Sequence, residues 1–158
     1  MSAGALVLQN RQRGRKLDTR LFRRIGRTLL SELLEQEDFE IRVLVVSGKE
    51  MARINETYLR HEGITDVITF DYGDPMRPGL LCGDLYICPE EAETQARRFG
   101  TTWQSELVRY VVHGVLHLVG YDDLEPEKRR AMKREENRLV KLLQQRFSVA
   151  RLGSSQKG

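Results

Sequence analysis

The 158-residue chain predicts an α+β fold, a single domain in which a small sheet of about four strands packs with about five helices. Three observations carry this. Short β-branched runs recur before residue 90, stretches with helical apolar spacing dominate after it, and no repeat or linker divides the chain. A chain of this length can bury a core without disulfide or metal staples. Hydrophobic residues make up 40% and charged residues 31%, the balance of a folded domain rather than a disordered one.

The elements follow in order. Residues 5–9, Ala-Leu-Val-Leu-Gln, read as a first strand. Asp18 is placed to cap a helix reaching about Glu35, with Leu21, Phe22, Ile25, Leu29 and Leu33 on one side. Arg20, Arg23, Arg24 and Arg27 fall on the other side as a solvent-facing stripe. Residues 40–47 alternate and are rich in β-branched side chains, a second strand. Ser47 caps a helix over about 49–59, with Glu50 completing a capping box. Residues 67–70 make a third strand, 73–79 a loop of turn-forming residues, and 82–88 a fourth strand. Pro89 opens a helix to about Arg98, which Gly100 ends. Two more helices cover about 103–119 and 126–147. The domain is expected over 1–150, with a disordered polar tail at 151–158.

Several classes are excluded or disfavoured. No apolar run approaches the roughly 20 residues of a membrane span. The first ten residues lack the cationic lead of a secretory signal, so a cytoplasmic location is expected. Cys82 and Cys88 on one strand lie about 20 Å apart, too far for a disulfide, and are expected to be reduced structural thiols. The net charge is only +3, but Arg11, Arg13, Arg15, Lys16 and the arginine stripe face a single Asp18 over residues 11–27. That run is either a polyanion-binding patch or an ordinary solvated face.

The segment with most chemistry is His113-Gly-Val-Leu-His117-Leu-Val-Gly120-Tyr-Asp122-Asp123. Histidines four apart on a helix share a face and reach one ion. Gly120 can end that helix in a left-handed turn, after which residue 123 returns toward the same ion. The spacing matches the metzincin pattern at both helical histidines and the glycine. Two positions differ: Gly114 stands where a protease has its general-base Glu, and Asp123 where a third His is usual. Three protein ligands leave a fourth position for water, whose pKa falls to about 7 on zinc. His113, His117 and Asp123 are therefore the expected ligands of one metal ion, with Asp122 as rival third ligand or turn support. Without a Glu at 114, peptide cleavage is disfavoured and phosphodiester cleavage gains.

The string His-Gly-Val-Leu-His-Leu-Val-Gly-Tyr-Asp, followed by Met132, resembles the YbeY family of bacterial metallo-endoribonucleases. Ile54-Asn55, Tyr58 and Thr65-Asp66-Val67-Ile68-Thr69-Phe70 resemble its second motif, and Gly83-Asp84-Leu85-Tyr86-Ile87-Cys88 its third. The matches span about residues 41–136. The resemblance implies a cytoplasmic, zinc-dependent, single-strand-specific endoribonuclease with one zinc per chain. It implies action on ribosomal RNA, notably at the 3′ end of small-subunit rRNA, and in ribosome quality control. Carried onto this chain, the ligand positions are 113, 117 and 123. Position 123 is usually His in the family and position 59 commonly Arg, whereas this chain has Asp123 and Leu59. Arg60 and His61 are the candidate phosphate contacts in place of that arginine. An Asp ligand is harder than His and widens tolerance toward manganese or magnesium.

Other residues are assigned by position. Met132 and Leu139 are expected beneath the metal helix, with the mixed charges of the last helix on a solvated face. Glu106 lies two turns before His113, about 10 Å away. Thr65 and Asp66 either orient a ligand or satisfy a turn. Trp103 reads as core, and Tyr121 as a base-stacking candidate. Two alternatives remain: another zinc hydrolase such as a peptidase, and a non-catalytic ribosome-binding module with structural metal. Neither the general base nor the oligomeric state is written in the sequence.

Overall fold

A computed structural model describes residues 4–59 and 67–153. The expected α+β architecture is present, with four strands and five α-helices among the described residues. The strands are β1 (Ala5–Asn10), β2 (Phe39–Val45), β3 (Val67–Asp71) and β4 (Leu81–Ile87). The helices are α1 (Thr19–Arg27), α2 (Gly48–Ile54), α3 (Pro89–Phe99), α4 (Trp103–Val119) and α5 (Pro126–Arg146). The sheet order is β1-β2-β4-β3. β1, β2 and β4 run parallel, and β3 is antiparallel to β4 with Thr69 opposite Leu85.

Period-two alternation sorts the sheet into two faces. Leu6, Phe39, Ile41, Val43, Leu85 and Ile87 enter the main core, together with side chains of α1, α4 and α5. The opposite face carries a smaller cluster of Leu44, Val46, Met51, Ile54, Ile68 and Cys88, which α2 helps to cover. Cys88 is fully buried as a free thiol, but Cys82 is only half-buried.

Local signals set most boundaries. The Asp18 carboxylate accepts from Leu21 N–H at 3.0 Å and starts α1. Past Arg27 the helix widens into a π-helical segment, Thr28–Leu33. Its neighbouring Leu29 and Leu30 are both buried, and Glu35 at φ 53° terminates it. The helix expected over 49–59 is likewise two pieces, α2 and a π-helical Asn55–Leu59. Ser47 caps α2 as expected, but Glu50 does not close a capping box. Its carboxylate instead meets Arg11 at 2.6 Å, a stronger charged partner than a backbone N–H.

Order extends past residue 150. Val149–Leu152 form a 3₁₀ turn, Leu152 is fully buried, and its carbonyl accepts from Asp18 N–H at 2.7 Å. Gln104 donates to the Gly153 carbonyl at 2.9 Å. Residues 151–153, expected within the tail, are thus held in the domain by the buried Leu152.

The placement of α4 depends on two close approaches. A β-carbon on Gly83 of β4 would lie 2.6 Å from the Phe70 carbonyl and 2.8 Å from Leu118 of α4. One on Gly114 would lie 2.7 Å from Leu85 and 3.3 Å from Thr69 Oγ1. Residue 114 therefore faces the sheet, and a side chain there pushes α4 off it. This explains the glycine where a protease has Glu. Gly114→Ala is expected to destabilise by about 1–3 kcal/mol through overpacking. Urea unfolding checks this; an unchanged midpoint would show that the sheet yields to the extra carbon.

Candidate metal centre

Three of the described residues with ligand chemistry converge at the C-terminal end of α4. One ligand atom each from His113, His117 and Asp123 lies within 4.8 Å of the others, and all three residues are half-buried. The helix supplies both imidazoles from one face, with ring centroids 4.9 Å apart. Gly120 then takes φ 123°, where a side chain is strained, and its N–H returns to the Leu116 and His117 carbonyls. The reversed chain brings Asp123 Oδ2 to 4.0 Å from His113 Nε2 and 3.8 Å from His117 Nε2. Two bonds of about 2.1 Å span up to about 4.2 Å, so each of these pairs can share one zinc-sized ion. The N₂O donor set and the spacing fit a divalent metal.

Asp122 has the other role expected for it. It accepts from Leu124 N–H at 3.2 Å and lies 3.6 Å from Lys128 Nζ, supporting the turn rather than the cluster. Arg129 ties the same loop down by donating to the Asp123 carbonyl at 3.1 Å.

Behind His113 sits a residue that sequence reading assigned to the solvated face of the last helix. Glu136 is only 3% exposed. Its Oε1 meets His113 Nδ1 at 2.8 Å, and its Oε2 accepts from Arg109 at 2.6 Å and Lys133 at 3.2 Å. Burial alone pushes this carboxyl up. The hydrogen bonds from His113 and Arg109 and the charge of Lys133 outweigh it and hold the pKa at about 2. The carboxylate is thus ionised at neutral pH and directs Nε2, not Nδ1, of His113 toward the cluster. A signal for it existed: Met132, Glu136, Leu139 and Leu143 fall on one buried helical stripe, where a carboxylate needs partners.

The cluster opens into a groove of about 1180 Å³. β3 contributes Val67, Thr69 and Asp71, α4 contributes Glu106, Arg109 and Tyr110, and α5 contributes Arg129, Arg130 and Lys133. Gln95 and Phe99 of α3 complete the rim with Thr101. Glu106 is buried and accepts from the Thr101 hydroxyl at 2.7 Å, so it belongs to the groove wall.

The remaining expectations divide. Met132 and Leu139 are core, and Trp103 packs against the core with Arg15 over its ring. Tyr121 also packs against the core and does not line the groove, so its ring is not a free stacking surface there. The arginine stripe lies on α1, which packs on β1, at the opposite sheet edge from the groove strand β3. Two of its members brace β1: Arg23 donates to the Leu6 carbonyl and Arg27 to the Gly4 carbonyl. Arg60, His61, Thr65 and Asp66 fall outside the described residues.

Comparison with known proteins agrees with this geometry. The family described as "Endoribonuclease YbeY" matches residues 7–144. A protein named Endoribonuclease YbeY from Chlorobium luteolum is 40% identical over 129 residues, 82% of this chain and 91% of its own length. One of the same name from Elusimicrobium minutum is 40% identical over 103 residues, 64% of this chain and 72% of its own. A protein of Thermotoga maritima solved in solution shares the fold at TM-score 0.66 and 25% identity, covering 98% of this chain and 100% of that one. With the match running from within β1 through α4 and the loop that carry the cluster, the chain belongs to the Endoribonuclease YbeY family, whose enzymes cut RNA.

Proposed function

We propose that the chain is a zinc-dependent, single-strand-specific endoribonuclease of the cytoplasm that matures ribosomal RNA, notably the 3′ end of the small-subunit rRNA, in contact with the ribosome. His113, His117 and Asp123 hold one zinc ion per chain. The observation that carries the reading is the convergence of these three donors at the base of a groove whose α5 side carries Arg129, Arg130 and Lys133. Among the described residues no fourth His, Cys, Asp or Glu joins the three, which favours an open catalytic position over a closed structural site. A zinc ion held by these three residues would supply Lewis acidity and lower the pKa of a water.

The protein's own residues do the rest. Glu136 fixes the His113 tautomer and ring, and the loop held by Arg129 presents Asp123. The α5 cations attract the phosphodiester. Gly114 leaves no room for a protease's Glu, which disfavours peptide cleavage. In support of cytoplasmic action, no helix among the described residues is long and apolar enough to cross a membrane. Arg60 and His61 are assigned to phosphate contact, on their place beside the family's arginine position.

A defined RNA, offered single-stranded and as a duplex, tests the proposal. Cleavage of the single strand alone is expected, lost with chelator and restored by zinc. No chelator-sensitive cleavage with zinc, manganese or magnesium would sink it. Robust peptide hydrolysis that depends on His113 would move the reading to a peptidase.

A further inference from the structure

The groove has two chemically different walls. On the α5 side stand Arg129, Arg130 and Lys133, all exposed. On the α3 side, the last helical residue, Phe99, presents its ring 63% exposed. Its guanidinium neighbour Arg98 lies 5.5 Å from the ring centroid. The chain turns immediately after Phe99, where Gly100 at φ 70° ends α3. The ring is thus held at the groove rim by a rigid helix end rather than by a mobile loop.

An isolated exposed apolar side chain is ordinary on protein surfaces and means little by itself. Phe99 differs because it lines the same groove as the metal cluster and the cationic residues of α5. A single strand of RNA has two faces of matching chemistry: an anionic backbone, and bases that stack on aromatic rings without regard to sequence. A peptide offers no such repeating pair.

We infer that Phe99 is a base-stacking subsite that positions a single-stranded RNA, with the sugar–phosphate backbone turned to α5. The inference rests on the RNA-cleaving reading above and adds an orientation to it. It also supplies a physical source of single-strand preference. A base paired within a duplex has both faces covered by its neighbours and cannot stack on the ring.

Steady-state cleavage of a short single-stranded RNA by the zinc-loaded enzyme tests it. Phe99→Ala is expected to raise KM about 5- to 150-fold, the range for loss of one base–aromatic stack, with kcat unchanged. Phe99→Tyr is expected to restore KM. The exposed position makes the alanine variant foldable, and equal melting temperature and zinc content confirm that the loss is not structural. Binding to the same oligomer made abasic separates base from backbone. Phe99→Ala should leave abasic binding unchanged, while Arg130→Gln with Lys133→Gln weakens both oligomers and lowers the salt slope by about 1.4. If the wild-type enzyme cleaves the RNA and Phe99→Ala does so with the same KM, the subsite is wrong and the ribonuclease reading stands. If the wild-type enzyme neither binds nor cleaves single-stranded RNA, both fall.

Discussion

Replacing His117 by alanine is expected to lower metal affinity by more than about 100-fold, beyond the 10–100-fold typical of outer partners. Chelator-sensitive RNA cleavage is lost with it. The argument is geometric. His117 Nε2 and Asp123 Oδ2 lie 3.8 Å apart, and the His113 ring is held from behind by Glu136. Without His117 two donors remain, and no other described acid or histidine is placed to replace the third. The substitution should not disturb the apo fold. His117 is half-buried at the groove, and the carbonyl that receives Gly120 N–H is backbone, retained in alanine. Competition against a chromophoric chelator and elemental analysis provide the readouts. Stoichiometric zinc in the variant, held as tightly as in wild type, would remove His117 from the ligand set.

The second large effect is expected at Glu136→Gln. The native carboxylate accepts from Arg109, Lys133 and His113 at once. An amide of the same shape has one acceptor oxygen and a nitrogen that only donates. With its nitrogen toward Arg109 and Lys133 a donor meets donors; with its nitrogen toward His113 the imidazole must accept at Nδ1, which puts the proton on Nε2, the atom that faces the cluster. Metal affinity should fall 10- to 100-fold as His113 loses its fixed tautomer, about the effect of deleting an outer partner elsewhere. The metal-free protein should lose about 1–3 kcal/mol, the usual cost of leaving a buried hydrogen-bonding group unsatisfied. For a domain of this size that corresponds to a melting temperature lower by roughly 2–4 °C per kcal/mol. The stability loss alone would be expected of any buried carboxylate. The affinity loss is what identifies Glu136 as the group that orients His113, and unchanged affinity would refute that role.

The legible and illegible parts of this molecule divide by range of interaction. Helix starts were readable because their signals are local: Asp18 and Ser47 accept backbone N–H groups three residues on, and Pro89 needs no partner at all. The cluster was readable because four-residue helical spacing and one glycine turn bring His113, His117 and Asp123 together within eleven residues. Glu136 was missed because it acts across two helices, 23 residues from His113. Its sequence neighbours Lys133, Arg134 and Glu135 made it look like one more surface charge, although its helical stripe is buried. Phe99 was passed over because no spacing rule marks a groove whose walls come from β3, α3, α4 and α5. The two π-helical segments carry no composition signal; in Thr28–Leu33 the adjacent Leu29 and Leu30 both turn inward.

The lining of the groove carries one more consequence. Four cationic side chains, Arg109, Arg129, Arg130 and Lys133, are set among four carboxylates, Asp71, Glu106, Asp123 and Glu136. Among the described residues the lining therefore offers a polyanion no net charge, only a local gradient from α5 toward the floor. A divalent ion at the cluster shifts that balance by two positive charges at the point a phosphodiester must approach. Ion and RNA are then heterotropic ligands of one another. By thermodynamic reciprocity, whatever factor the metal adds to RNA affinity, the RNA returns to metal affinity. The enzyme engaged with its substrate is accordingly harder to strip of metal than the free enzyme, and starvation for the ion disarms idle molecules first.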